Sequence, residues 1–169
     1  MKSKEILRLE IDGLLNGGNA HMTFDEVVAD FPIELINRKP PHTPYSSWHF
    51  LEHLRITQWD ILEFILNPDH VSPSFPEGYR PKPSEIADKN DCNVTIKQIH
   101  ADLNALKVIA LDMDLDFFSP IPHAKEYTYF RELLLAADHN AYCIGEFALL
   151  RQILNAWPSN KPYLTGKPD

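Results

Sequence analysis

Between Asn67 and Asn90 the chain carries Pro68, Pro73, Pro76, Pro81 and Pro83, with an "EGY" turn signal among them. Each proline fixes φ and removes a backbone donor, so this stretch is neither a continuous helix nor a central strand. A connection this long is uncommon inside one domain, and one physical use for it is to carry the chain from one end of a helical bundle to the other.

The flanking segments are helical. In residues 3–15, Ile6, Leu7, Leu9, Ile11, Leu14 and Leu15 recur at helical spacing, and "NGGN" supplies a stop. Thr23, followed by Asp25 and Glu26, has the form of an N-cap with an acidic first turn, which predicts a short accessory helix. Ser46 or Ser47 opens a second long helix, "SSWHFLEHLRITQWDILEFIL", closed by Asn67 and Pro68. About 20 residues at 1.5 Å each make it roughly 30 Å long. A third covers residues 91–111, with Val94, Ile96, Ile99, Leu103, Leu106 and Ile109 as apolar members. After "DMDLDFFSPIPHAKEY", Thr128 caps a fourth, which runs to Trp157 before Pro158 ends it. Four main helices and no strand predict an all-α fold, a four-helix bundle with one long crossover between helices two and three. At 169 residues and 44% apolar content, one domain over residues 1–157 can bury its own core, leaving 158–169 as a poorly structured tail.

A formal net charge of −8 repels phosphate, so nucleic acid is not an expected partner. No segment is apolar for long enough to span a bilayer. The opening "MKSKEILRLEIDGLL" interleaves charges with apolar residues and lacks the form of a secretion signal, so a cytoplasmic location is expected, with Cys92 and Cys143 as free thiols. A Gly-rich phosphate loop, a G-x-S-x-G elbow and a CxxC pair are all missing from the sequence, which disfavours nucleotide hydrolysis and serine-hydrolase chemistry.

The stretch "DHNAYCIGE" sets His139 and Cys143 one turn apart on the fourth helix. At about 100° per residue, Glu132, Leu135, Ala136, Tyr142, Cys143, Glu146, Leu150, Ile153 and Trp157 share a face with His139. On the second helix, Ser46, His49, Phe50, Ile56, Thr57, Asp60 and Phe64 share a face with His53, beside an apolar face of Leu51, Leu54, Ile61, Leu62 and Ile65. If the two seams oppose each other, His53, His139 and Cys143 converge. Imidazole nitrogen and thiolate sulfur suit zinc and similar ions, and three protein ligands leave a coordination position open. An isolated H-x3-C on a helix is more often a pair of satisfied core residues.

"HTPYSSWHFLEHLRITQWDILEFI", followed by "IPHAKEYTYFRELLLAADHNAYCIGEFALLRQILNAW", resembles the DinB-like superfamily, bacterial four-helix bundles that include thiol-dependent transferases. In that family one His from helix two and an H-x3-H pair from helix four hold a divalent metal, nickel or zinc. The resemblance implies that His53 and His139 are ligands and that Cys143 stands in place of the second His of the pair. A thiolate there would favour a softer ion and weaken the acidity of a bound water relative to a three-His site. His49, one turn before His53, is a candidate fourth ligand or hydrogen-bonding neighbour, though a boundary residue with a solvated ring edge is the simpler expectation. Glu146 and Asp60 stand where a carboxylate could orient a ligand imidazole, an ordinary ion pair being the simpler expectation for Asp60. The family more often shows Gln at the Glu146 position.

Three functions follow as alternatives. The first is a metal-dependent enzyme in which an ion at His53, His139 and Cys143 activates a thiol or water for transfer or hydrolysis, with a low-molecular-weight thiol as substrate. The second keeps the fold without the metal, Cys143 being a core residue beside a small-ligand pocket. The third is an interaction protein, and because helix two lacks a clean solvent face a homodimer is plausible under all three.

Overall fold

A computed structural model describes residues 3–158 of the chain, so the expected tail at 159–169 lies outside the described residues. It contains five α-helices, α1 (Ser3–Asn16), α2 (Phe24–Val28), α3 (Ser47–Leu66), α4 (Lys89–Leu111) and α5 (Tyr129–Ile153), and two short strands, β1 (Pro120–Ile121) and β2 (Ala124–Thr128). The protein is mostly helical, and no helix among the described residues is long and apolar enough to cross a membrane.

Local chemistry sets the helix ends. Gly17 and Gly18 follow α1 at φ +71° and +81°, a region residues with a Cβ rarely enter. Thr23 caps α2 in a box with Glu26, Asp88 caps α4 in a box with Asp91, and the Thr128 hydroxyl accepts from the Arg131 N–H to start α5.

Helix α5 ends at Ile153, four residues before the expected Trp157. Asn155 turns left-handed at φ +52°, the Ala156 N–H donates to the Arg151 carbonyl and the Asn155 N–H to that of Gln152. This is a Schellman turn, which satisfies the last carbonyls and folds Trp157 back over the Arg151 guanidinium at 3.9 Å. Arg151 is fully buried, and its donors reach the carbonyls of Val27, Ala29 and Ala156, tying the α2 end to α5. The expectation of no strand is also corrected. β1 and β2 pair antiparallel around Pro122 and His123, because Ile121 is drawn fully into the core while its neighbours stay outside.

The four long helices pack with α1 and α3 each touching both α4 and α5. One cluster joins Leu15, Ile61, Ile65, Leu106, Ala110 and Leu133 across all four of them. A second joins Phe24, Leu51, Leu54, Ile99, Ile144 and Phe147 around Cys143.

Only Leu66 of α3 is exposed. The connection from α3 to α4 accounts for this, since it lies along the polar face of α3 and hydrogen-bonds to it repeatedly. His70 Nε2 lies 2.7 Å from one Asp60 oxygen, and the Tyr79 hydroxyl donates to the other at 2.7 Å. His49 meets the Lys82 carbonyl at 3.0 Å, and His53 meets that of Tyr79 at 2.8 Å. The missing solvent face of α3 is therefore filled by the chain itself and needs no second copy to cover it.

Candidate metal centre

His53 stands on the border of α3 between its core face and the crossover. Its Nδ1–H donates to the Tyr79 carbonyl, which fixes the tautomer and turns the Nε2 lone pair toward α5. Across that gap, His139 Nε2 lies 3.3 Å from His53 Nε2, the rings meeting edge to face with centroids 5.0 Å apart. Cys143 Sγ, one turn along α5, lies 3.6 Å from His139 Nε2. His53, His139 and Cys143 form a group able to hold a metal ion, one donor atom from each lying within 4.8 Å of the others.

The spacing tests the fit. A tetrahedral ion with bonds of about 2.05 Å to nitrogen and about 2.3 Å to sulfur separates two nitrogens by roughly 3.3–3.4 Å and nitrogen from sulfur by roughly 3.5–3.6 Å. The 3.3 Å separation agrees with the nitrogen–nitrogen edge. Cys143 Sγ, 3.6 Å from His139 Nε2 and 3.7 Å from its Nδ1, lies beside the imidazole ring, so sharing one ion requires the His139 ring or the Cys143 side chain to turn.

The electrostatics favour donors over charges. Burial, then the neighbouring His53, brings His139 down to about 4, and burial also lowers His53, so both rings are neutral near pH 7 and offer lone pairs. Burial and the charge of Glu146 push the Cys143 thiol up to about 12, so without a cation it keeps its proton. Cys143 is only 3% exposed.

The expected supporting residues divide. Glu146, one turn beyond Cys143, has Oε2 buried without a hydrogen-bond partner, while the Tyr142 hydroxyl bonds to the same carboxylate. Its charge acts on both His53 and Cys143, which suits a residue that balances a cation. His49 is neither a ligand nor a solvated boundary residue. It is buried, its Nδ1 accepts from the Ser46 N–H and hydroxyl, and its Nε2–H donates to the Lys82 carbonyl. Both ring nitrogens are used in starting α3 and holding the crossover. Asp60 pairs with His70 and Tyr79, away from the donors.

The α5 face differs from the expected one in its centre. The buried stripe runs through Ala136, Asn140, Cys143, Phe147 and Leu150, whereas Tyr142 and Ile153 are exposed. His139 therefore lies at the edge of the core, beside the crossover. Sequence reasoning missed Tyr79 and Arg80. Residues Tyr45, His53, Phe75, Tyr79, Arg80 and Lys82 line a cavity of about 500 Å³ that reaches the candidate centre at His53. Periodicity carries no information in a proline-rich connection, and the only signal there was an aromatic and a cation together in "EGYRPKP". Cys92 is buried, its thiol pushed up to about 11 by burial and the charges of Asp91 and Asp88, in keeping with a structural role.

No family model, curated protein or solved structure matches the chain.

Proposed function

We propose that the chain is a DinB-like four-helix bundle whose His53, His139 and Cys143 hold a divalent zinc or nickel ion in a metal-dependent enzyme acting on a small thiol substrate. The observation that carries this reading is the convergence of one donor atom from each of His53, His139 and Cys143 within 4.8 Å of one another, with the two imidazole nitrogens 3.3 Å apart. Such an ion supplies Lewis acidity, lowering the pKa of a thiol or water so that it acts as a nucleophile in transfer or hydrolysis. The chain's own residues do the rest. Tyr79 holds His53 in the tautomer that presents Nε2, Glu146 offsets positive charge near Cys143, and the crossover forms one wall of the cavity where substrate enters. Two buried free thiols suit the reducing cytoplasm, which is where we place the protein.

The test is elemental analysis of protein purified without metal-affinity resin, beside Cys143→Ala and Cys143→His variants. About one equivalent of transition metal is expected in the parent and most of it is lost in Cys143→Ala, with Cys143→His restoring or strengthening binding. A parent that carries no metal and takes up neither zinc nor nickel on incubation sinks the reading.

A second reading draws on the burial of Cys143 in an apolar cluster. In it the His139 Nε2–H donates to His53 Nε2, no ion is held, and the cavity binds a small molecule. Under that reading chelators leave the melting temperature unchanged. A homodimer stays open in both, with the exposed Ile6, Leu9 and Leu14 of α1 as the surface that a second copy would cover, and sedimentation tests it.

A further inference from the structure

Arg80 lies half-buried at the inner wall of the cavity beside His53. Its guanidinium stands 4.8 Å from the Tyr45 ring centroid and 5.5 Å from that of Phe50. Among the described residues it makes no hydrogen bond and no ion pair. It lines the same cavity as His53, and its charge acts on His53, His139 and Cys143. Lys82 lines the cavity with it, and the one acid of the lining, Glu77, is exposed and does not pair with Arg80. In a chain whose formal charge is −8, a partly desolvated arginine without a counter-ion is not an accident of abundant basic residues.

We propose that Arg80 recognises a carboxylate on the small molecule that occupies this cavity, holding the other end of the ligand toward His53. The guanidinium is planar, carries five donors in a fixed fork, and pairs with a carboxylate through two parallel hydrogen bonds. Rings on which it rests hold that fork in place before the ligand arrives, which cuts the ordering cost of binding. A volume of about 500 Å³ suits a ligand of metabolite size. The carboxylate assignment stands on the cavity and Arg80 alone; that the same molecule carries a thiol rests on the metal-centre reading above.

The two parts are separated by titrating metal-stripped protein, and the same protein reloaded with cobalt(II), with 3-mercaptopropionate, 2-mercaptoethanol and propionate by calorimetry. Parent, Arg80→Gln and Arg80→Lys forms are compared. The parent in its cobalt form is expected to bind 3-mercaptopropionate about tenfold or more tighter than 2-mercaptoethanol, the scale of one charge-assisted hydrogen-bonded pair. Arg80→Gln closes that gap, and Arg80→Lys keeps only part of it because an ammonium lacks the fork. Equal binding of the two thiols to the parent, or a gap unchanged in Arg80→Gln, overturns the assignment and leaves the metal reading standing. If neither thiol prefers the cobalt form over the stripped one while propionate binds the parent and not Arg80→Gln, the metal reading has failed and the assignment holds. Failure of both carboxylates to bind the parent in either form overturns it outright.

Discussion

Two polar contacts cross from α3 to α5 within a few residues of each other, and they are built on opposite rules. At Gln58 and Asn140 the amides complement each other. The Asn140 Nδ2 group donates to Gln58 Oε1 at 2.7 Å and the Gln58 Nε2 group donates to the Ile99 carbonyl on α4 at 2.8 Å. Only Asn140 Oδ1 lacks a partner. At His53, His139 and Cys143 the near-neighbour atoms are two imidazole nitrogens and a sulfur, with one histidine proton already spent on the Tyr79 carbonyl. Donor meeting acceptor closes a structure with its protons in place, whereas the seam gathers three atoms that each offer a lone pair once the thiol and one imidazole nitrogen give up a proton, which a metal ion could share. Both contacts join the same helices, yet one reads as a lock and the other as a site.

The largest effect is expected at the lock. Asn140→Ala leaves the buried Gln58 oxygen unpaired and opens space in the core, so it should cost about 2–3 kcal/mol in denaturant unfolding. Gln58→Leu combined with Asn140→Leu removes both partners together and should cost clearly less than the sum of the single changes. The double variant should still bind metal if the seam does. An additive double mutant would mean that the amides do not act as a pair.

How much of this contrast is visible in the sequence depends on which rule governs a residue. The long helices, the Thr23 cap and the core positions Leu51, Leu54, Ile61, Leu62 and Ile65 follow from periodicity and capping chemistry, which act locally. The convergence of His53, His139 and Cys143 was legible as a face argument sharpened by resemblance. What stayed hidden is long-range. His49 and Asp60 sit on the same helical face as His53, and nothing in their spacing tells that a loop some 20 to 30 residues later turns them into anchors. His70 and Arg80 lie in that loop, where no repeat exists to be read. The two-residue strand β1 and the early end of α5 likewise depend on burying Ile121 and on the Asn155 turn.

A second way to sharpen the comparison is pH, because amides do not titrate. In metal-stripped protein His139, brought down to about 4 by burial and by His53, binds fewer protons folded than unfolded. A depressed pKa contributes stability that is present above the unfolded value near 6.5 and lost as pH falls through about 4. Denaturation midpoints of stripped parent should therefore fall across this window, and His139→Asn should flatten the profile. Asn140→Ala should shift the curve downward without changing its shape. A parent profile flat between pH 6.5 and 4 would show that the imidazole is not held neutral.

The smallest effect is expected at Glu146, and its sign separates the two readings of the seam. Binding a divalent cation while releasing the thiol proton adds one net positive charge beside Glu146, so Glu146→Gln should weaken zinc affinity by about tenfold, the lower end for a residue that supports a metal site. Stability of the stripped protein should move the other way or not at all. The neutral amide keeps an acceptor for the exposed Tyr142 hydroxyl and removes charge from an oxygen that is buried without a partner. Competition against a chromogenic chelator measures the first quantity, and urea unfolding of stripped protein the second. Zinc held as tightly by Glu146→Gln as by the parent would mean that the carboxylate is an ordinary helix residue, leaving Asp138, whose charge acts on His139, as the acid beside the seam.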